Sequence, residues 1–166
     1  MKPIIHPPDA LVHHFLERSA EVFPDREAAF FKGQWRTFAQ LEGGANAMAR
    51  RLLELGLAKG DRVAILLMNS PAYIISYYGT IKAGGIAVPL NTDLLAESLP
   101  WILERSGSRF LITSDGFRDK LGSLRELLDR MAGVFCFGAA DAMQAAPLDR
   151  LRCPVVDGAE VLAAAT

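Results

Sequence analysis

The stretch Gly60–Asn91, GDRVAILLMNSPAYIISYYGTIKAGGIAVPLN, decides the fold of this chain. It opens with the apolar run Val63–Met68, which is too short for a buried helix and is flanked by turn residues, so it predicts a strand covered on both faces. A fully covered strand is typical of a parallel sheet. Ser70 can cap the helix that follows, and Pro71 suits its first position because the missing N–H would have no partner inside the helix.

The same alternation of strand and helix continues downstream. Gly84-Gly85 is expected to end the helix, and strands are predicted at Ile86–Val88, Arg109–Thr113 and Val134–Phe137. Strand starts near residues 62, 86, 109 and 134 are spaced by 24, 23 and 25 residues, which is the length of one strand, one helix and two short loops. We therefore predict an α/β protein with a β-α-β-α-β-α-β core, in which helices flank a mostly parallel sheet.

The N-terminal part is predicted to contain a helix and a hairpin. The apolar positions of Asp9–Val22 follow helical spacing, and Asp9 can cap the first turn. Glu27–Phe31 and Trp35–Phe38 flank Lys32-Gly33-Gln34, a short connection that contains glycine, so we expect two antiparallel strands near the N-terminus.

A long helix is expected after the hairpin. Thr37 and Gln40 have the spacing of a capping box, in which each side chain satisfies the backbone N–H of the other residue. Apolar residues recur every three or four positions in Phe38–Leu55, and Gly56 suits the left-handed position that closes a helix. Gly43-Gly44 costs roughly 1 kcal/mol per glycine relative to alanine. This cost indicates the close approach of another backbone as compensation.

Two further helices are predicted between the later strands. Pro100 limits how early a helix within Asn91–Ser106 can begin, because its ring would clash with an earlier carbonyl. Ser114 or Asp115 can cap the next helix. The apolar face of that helix is predicted to carry Phe117, Leu121, Leu124, Leu128 and Met131.

The pattern weakens after Gly138, where only a helix near Asp141–Ala145 and a strand at Val155–Val156 are indicated. We interpret residues 1–166 as a single α/β domain. Within it, residues 9–56 form the N-terminal helix, hairpin and long helix, residues 60–137 form the crossover core, and residues 138–166 form a poorly defined tail.

Composition and charge exclude several classes of function. The 18 basic and 19 acidic residues give a net charge of -1, and basic residues are scattered, so a nucleic-acid partner is not expected. Cys136 and Cys153 lack metal-ligand spacing and favour a reducing, cytoplasmic compartment. No export signal is recognised. Lys82, Gly84-Gly85 and Pro89 interrupt the apolar segment of nearly membrane length, so no membrane span is predicted.

Common nucleotide and metal motifs are missing from the sequence. Neither G-x-G-x-x-G nor G-x-x-x-x-G-K-[ST] occurs, so a dinucleotide site and a phosphate cradle of those kinds are not supported. His13 and His14 are about 100° apart around a helix axis, so we expect that they cannot hold one metal ion together. His6 is expected to be solvated.

The remaining polar candidates have structural explanations. Ser70 has no G-x-S-x-G context, and capping explains it. Ser114 and Asp115 are also interpreted as caps. Tyr73, Tyr77 and Tyr78 fit helix packing better than a ligand surface. The residues therefore support no catalytic, cofactor-binding or metal-binding assignment.

Three segments nevertheless resemble a known family. They are Thr37–Tyr73 (T-F-A-Q-L-x-x-x-A-N-x-x-A-R-x-L-x-x-x-G-L-x-K-G-D-R-V-A-I-L-L-x-N-S-P-x-Y), Lys82–Asn91 (K-A-G-G-I-A-V-P-L-N) and Glu97–Thr113 (E-S-L-P-W-I-L-E-R-S-G-S-R-F-L-I-T). In this order they resemble the start of AMP-forming acyl-CoA synthetases of the adenylate-forming superfamily. The resemblance covers about Leu11–Thr113, and it implies part of the N-terminal domain of the acyl-CoA synthetase fold.

The resemblance also implies a two-step reaction. A carboxylate and ATP give an acyl-adenylate and pyrophosphate with Mg²⁺, and the CoA thiol then displaces AMP. ATP, Mg²⁺ and CoA are expected for the full-length enzyme and not for this fragment, because the residues that handle ATP in this family lie downstream of the matched region. Related CoA ligases often have a basic residue where this sequence has Asp93, whose charge would repel CoA phosphates, so no CoA contact is expected from Asn91–Leu94.

The leading hypothesis is an inactive N-terminal fragment of an acyl-CoA ligase, whose partner is the missing remainder of that enzyme. Two alternatives stay open. One is a stand-alone α/β module that binds a ligand or partner at the carboxyl edge of its sheet, and the other is a structural domain that self-associates through exposed apolar surface. The sequence does not name the acyl substrate, because the family builds its acyl pocket mainly from later residues.

Overall fold

The fold begins with a helix, a hairpin and a long helix. The computed structural model describes residues 10–138 and 148–163, and its first elements are α1 (Val12–Val22), β1 (Glu27–Phe31), β2 (Gln34–Thr37) and α2 (Phe38–Glu54). β1 and β2 pair antiparallel, as predicted. The turn consists of Lys32 and Gly33, whose φ angles are +47° and +79°. Two-residue turns with positive φ angles are favoured in hairpins because their twist matches that of the flanking strands. Gln34 therefore lies in β2, and Phe38 begins the helix instead of ending the strand.

A five-stranded parallel sheet forms the centre of the fold. Its strands and the helices between them are β3 (Arg62–Ile65), α3 (Pro71–Lys82), β4 (Ile86–Pro89), α4 (Leu99–Ser106), β5 (Ser108–Ser114), α5 (Arg118–Leu121), α6 (Arg125–Leu128), β6 (Gly133–Phe137), β7 (Val155–Asp157) and α7 (Gly158–Ala163). The strand order is β4-β3-β5-β6-β7, and each neighbouring pair is parallel. The predicted α/β class and the strand at Val155–Val156 are therefore confirmed.

Successive residues of β3 contribute to two apolar layers, one on each face of the sheet. Val63 and Ile65 belong to the layer that also contains residues of α2 and α3. Ala64 and the following Leu66 belong to the layer that contains residues of α4, α5 and α6. All four side chains are almost fully buried. Because helices cover both faces, the strand has a continuous apolar sequence rather than an alternating one.

Two glycines allow α2 and α3 to pack closely. A Cβ at Gly79 would lie 2.6 Å from Met48 Cβ and 2.9 Å from the carbonyl oxygen of Ala45. A Cβ at Gly44 would lie 2.6 Å from Cδ1 of Ile75. The close approach expected around Gly44 is therefore present, although the nearest atoms there belong to a side chain rather than a backbone.

The helix ends follow the predicted capping residues. Thr37 Oγ1 accepts the N–H of Gln40 at 3.3 Å, and Gln40 Oε1 accepts the N–H of Thr37 at 3.0 Å. Ser70 Oγ accepts an N–H from the first turn of α3 at 3.3 Å. Gly56 and Gly84 follow α2 and α3, each with φ of +83°. These four local predictions are confirmed.

The prediction of a single continuous helix after β5 is wrong. Turns of 3₁₀ helix at Asp115–Phe117 and Gly122–Leu124 alternate with α5 and α6. Glycine is a weak helix former, and Gly122 lies where the predicted helix is interrupted. The apolar residues of the predicted face are nevertheless buried. Ser114 precedes the first 3₁₀ turn without a capping hydrogen bond from its side chain.

The two ends of the described chain also differ from expectation. α1 begins after Leu11, whose N–H is accepted by Nδ1 of His14 at 3.0 Å, and not at the predicted cap Asp9. Asp9, His6 and the helix predicted at Asp141–Ala145 lie outside the described residues. Near the other end, α7 is a helix that the sequence did not indicate. None of the described helices has the length and apolar character needed to cross a membrane.

Candidate functional site

A cleft of about 740 Å³ lies at the edge of the sheet where β3, β5 and β6 end. Leu67–Ala72 follows β3, Ser114–Gly116 includes the end of β5, and Phe137-Gly138 includes the end of β6, and residues of all three segments line the cleft. Small-molecule sites commonly measure roughly 300–1,000 Å³. Ligands of parallel α/β sheets bind beyond the carboxyl ends of the strands. Position and size therefore make this cleft the candidate site.

The hairpin and the start of α2 form one wall of the cleft. Phe31, Lys32, Arg36 and Gln40 line it. Arg36 donates to Gln34 Oε1 at 3.3 Å and to a backbone carbonyl at 3.5 Å, both long hydrogen bonds. Among the residues that the structure describes, neither Lys32 nor Arg36 forms an ion pair. Lys32 and Arg36 therefore bring two positive charges to the cleft, and neither is paired with a carboxylate of the described residues.

The opposite wall is largely apolar. Leu67, Ile75 and Phe137 belong to the apolar layer that contains α2 and α3. Ala159 and Leu162 come from α7. The N-terminus of α3 also opens into the cleft, since Ser70 caps that helix and lines the cleft. A helix N-terminus carries about half a positive charge. The cleft thus combines apolar walls with the charged side chains of Lys32, Arg36 and Asp115 and with the N-terminus of a helix.

The sequence candidates are only partly brought together here. Ser70, Ser114 and Asp115, which the sequence predicts as helix caps, line the cleft. Tyr73 and Tyr77 instead pack against the apolar layer that contains α2 and α3, as predicted. Tyr78 packs there too, and burial raises the pKa of its hydroxyl.

Sequence reasoning did not identify Lys32, Arg36 or Gln40 as cleft residues. Each belongs to a hairpin or helix start that is predicted correctly as local structure. The sheet begins more than twenty residues after them. Tertiary packing therefore decides that these residues lie beside its carboxyl edge. No local sequence signal indicates such packing.

The two neighbouring histidines of α1 lie close to Glu17. His13 and His14 have ring centroids 4.4 Å apart, and ligand atoms of both rings and of Glu17 lie within 4.8 Å of one another. The two rings are therefore near each other despite their separation around the helix axis, and His14 Nδ1 accepts the N–H of Leu11 at 3.0 Å. Burial lowers the pKa of His13, which favours its neutral form.

A lysine already neutralises the carboxylate of this cluster. Lys82 donates to Glu17 and Glu42 at 2.6 Å each, and its side chain is only 9% exposed. The ammonium therefore occupies the cationic position beside Glu17 and joins α1, α2 and α3. The Nδ1 lone pair of His14 is also used by a backbone N–H. The arrangement is that of a structural ion cluster.

The loop after β4 is held by a basic residue that the sequence did not single out. Lys120 of α5 donates to the carbonyl oxygens of Thr92 and Leu94 at 2.6 and 2.7 Å. Asn91 Oδ1 accepts the N–H of Asp93 at 2.9 Å. A positive charge therefore lies beside the loop in which Asp93 supplies a negative one.

Both cysteines are free and buried. Burial raises the pKa of the Cys136 thiol to about 11 and raises that of Cys153 as well. Protonated, buried thiols are poor nucleophiles and poor metal ligands. Their environment is consistent with packing roles.

Comparison with known proteins gives a consistent family. The family model described as AMP-binding enzyme matches residues 16–157. A long-chain-fatty-acid–CoA ligase of Mycobacterium tuberculosis is 37% identical over 121 residues, which cover 73% of this chain and 23% of that protein. The chain therefore spans about a quarter of the length of this curated relative.

Solved structures agree with the sequence comparison. A fatty acyl CoA synthetase of Mycobacterium tuberculosis superposes with a TM-score of 0.67 at 31% identity, covering 91% of this chain and 28% of that one. An anthranilate CoA ligase in complex with anthranoyl-AMP gives a TM-score of 0.72 at 28% identity, covering 81% and 25% respectively.

Proposed function

Because this chain belongs to the AMP-binding enzyme family, we propose that it forms the N-terminal part of an ATP-dependent acyl-CoA ligase. In the proposed reaction, a carboxylic acid, ATP and CoA give acyl-CoA, AMP and pyrophosphate. The family match over residues 16–157 is the observation that carries the proposal. The ligase relative supports the acid–CoA branch of the family, and a fatty acid is the substrate class that its name favours.

The residues of this chain do not fit a magnesium triphosphate. Among the described residues that line the cleft, Asp115 is the one carboxylate, and the sequence contains no phosphate-cradling glycine loop with a lysine. ATP, Mg²⁺ and CoA are therefore assigned to the longer protein. The chain by itself is catalytically inactive in this proposal.

The role of these residues is to provide one wall of a composite site. The cleft opens at the carboxyl edge of the sheet, where α/β proteins bind their ligands. The remainder of the ligase is the principal partner and completes the site from the solvent side. Two buried protonated thiols, Cys136 and Cys153, suit a reducing compartment, so the proposed location is the cytoplasm.

A pyrophosphate-release assay tests the proposal in two arms. The longer protein is incubated with MgATP, CoA and a panel of carboxylic acids, and the 166-residue chain is incubated identically. We expect acid-dependent pyrophosphate release with matching loss of CoA thiol for the longer protein, and only the buffer rate for the chain. Turnover by the chain would contradict its inactivity, and no turnover by the longer protein with any acid would contradict the ligase assignment.

Exposed apolar side chains favour a second role in self-association. Phe30 and Trp35 are 59% and 49% exposed, and their rings pack against each other at 4.9 Å on the outer face of the hairpin. Met68 beside the cleft is 60% exposed. Such surfaces promote association. Sedimentation velocity over a hundredfold concentration range should show a rising mean mass, and a strictly monomeric chain would exclude this role.

A further inference from the structure

The helix α1 is attached to the rest of the fold by few groups. It packs against α2 and α3, and Leu16 is its one buried residue. Val12 and Phe15 of the same helix are 52% and 46% exposed. An isolated helix of 11 residues is only marginally stable in water. The helical state of α1 therefore depends on the contacts that dock it on α2 and α3.

An ion pair links α1 to α3. Lys82 donates to Glu17 of α1 and to Glu42 of α2, as described above. Glu42 also accepts a hydrogen bond from Asn46 Nδ2 at 3.0 Å. Among the described residues, Lys82 is the one hydrogen-bond donor to the side chain of Glu17, which is 35% exposed against 16% for Glu42. Release of α1 would therefore break the more exposed ion pair and leave the pair between Lys82 and Glu42 in place.

His13 is the titratable group beside this ion pair. A ring nitrogen of His13 lies within 4.8 Å of a carboxylate oxygen of Glu17. The two residues are four positions apart on one helix, so they can form a pair without any other helix. The charged and titratable groups around His13 come from all three helices, and they are His14 and Glu17 on α1, Glu42 on α2 and Lys82 on α3. A protonated His13 would therefore compete with Lys82 for Glu17.

The docked position of α1 opposes this protonation. Burial lowers the pKa of His13, and His14 and Lys82 act in the same direction, against Glu17 and Glu42. Because the pKa is lower in the docked helix than in a hydrated, released helix, the docked state binds fewer protons. The stability that neutral His13 gives to docking is therefore complete above the ordinary histidine pKa of 6.5 and is lost as the pH falls through the lowered value.

We propose that mild acid releases α1 from α2 and α3, because protonated His13 takes Glu17 away from Lys82. In the released state, His13 and Glu17 pair within α1, and Leu16 leaves the apolar layer to which it belongs. The inference is independent of the proposed ligase function, since none of the described residues of α1 lines the cleft. It assigns a pH-dependent conformational change to the N-terminal helix.

Hydrogen–deuterium exchange of the 166-residue chain, followed by mass spectrometry of its peptides, tests the release. Exchange is measured at pD values of about 7.5 and 5.5, on either side of the ordinary histidine pKa, and is corrected for the intrinsic pH dependence of the chemistry. Peptides from β5 and β6 report on global unfolding. The protection of Val12–Val22 should fall about threefold or more at the lower pD, while the protection of β5 and β6 is retained. Unchanged protection of α1, or an equal loss in all peptides, would overturn the proposal.

Three variants separate the titrating group from the ion pair. His13→Gln should make the protection of α1 equal at the two pD values and as high as that of the unchanged chain at the higher one. His14→Gln, the matched control, loses the hydrogen bond to the N–H of Leu11 and should lower protection at both values, but it should keep the pD dependence. Glu17→Gln weakens the link to Lys82 and should lower the protection of α1 about threefold or more already at the higher pD.

Circular dichroism verifies that each variant is folded before exchange. A pD dependence that survives in His13→Gln, or that disappears in His14→Gln, would overturn the role of His13. Low protection of α1 at both pD values in His13→Gln would show that the ring acts by packing alone, and it would overturn that role as well. Full protection in Glu17→Gln would overturn the role of the ion pair. Neither ATP nor the longer protein is present, so failure here would leave the test of pyrophosphate release unaffected.

Discussion

Replacement of Gly79 by alanine should destabilise the chain through the contact between α2 and α3. The new Cβ would lie 2.6 Å from both Cβ and Cγ of Met48 and 2.9 Å from the carbonyl oxygen of Ala45. Carbon atoms pack best at about 3.5–4.0 Å. A Cβ atom and a backbone carbonyl oxygen are fixed to the backbone and cannot rotate away. The two helices must therefore move apart by roughly 1 Å.

The magnitude is the difference between two opposing effects. Alanine improves helix propensity over glycine by about 1 kcal/mol. Overpacking of a close-packed core typically costs about 1–3 kcal/mol. Met48 and Ala45 are fully buried, so the cost should lie at the upper end of that range. We expect a net loss of about 2 kcal/mol in the free energy of unfolding, or a decrease in Tm of about 4–8 °C.

Urea unfolding followed by circular dichroism measures this change, with Gly122→Ala as the matched control. Gly122 has a helical φ of -57°, and a Cβ there would meet nothing within 4 Å. The control should be neutral or stabilised by up to about 1 kcal/mol. If Gly79→Ala were as stable as Gly122→Ala, the close packing of α2 on α3 would be refuted.

Three further predictions concern charged and thiol groups. Arg62→Ala removes three hydrogen bonds to backbone carbonyls, two of them at the end of α4 at 2.9 and 2.7 Å. It should lower the free energy of unfolding by about 2 kcal/mol. The control variant Arg105→Ala should leave the free energy of unfolding unchanged. Lys82→Met leaves the carboxylates of Glu17 and Glu42 without their cation and should lower the free energy of unfolding by about 3 kcal/mol. Addition of Glu42→Gln should restore part of this loss. Strictly additive effects of the two substitutions on the free energy of unfolding would count against the ion cluster. Burial raises the pKa of Cys136 from 9.0 to about 11, so the folded state favours the protonated thiol. The stabilising contribution of this thiol is therefore complete below pH 9 and is lost as the pH rises through 11, and alkylation followed by mass spectrometry should be slow at pH 8 and fast only in urea.

The crossover core could be predicted because its signals are local. The apolar run at Val63, the cap at Ser70 and the left-handed glycine at Gly84 each determine one boundary through their own backbone chemistry. The helix interruption at Gly122 was missed, because the periodic apolar pattern extends across it. A 3₁₀ turn and an α-helical turn place apolar side chains on the same buried face, so periodicity does not distinguish them.

The candidate site could be located only in part from the sequence. The carboxyl edge of a parallel sheet is a general expectation, and Ser114 and Asp115 follow a predicted strand at that edge. Arg36 lies in a hairpin about twenty-five residues before the sheet, and its approach to the cleft depends on how the hairpin packs against α2. The ion pairs of Lys82 with Glu17 and Glu42 could not be predicted for a related reason, because they join three helices that are far apart in the sequence.

Calorimetric titration of the 166-residue chain with MgATP tests the central claim most directly. The claim is that these residues supply part of the scaffold of a ligase domain but not the groups that handle a nucleotide. We predict no saturable heat with MgATP. Stoichiometric MgATP binding to this chain would contradict the account.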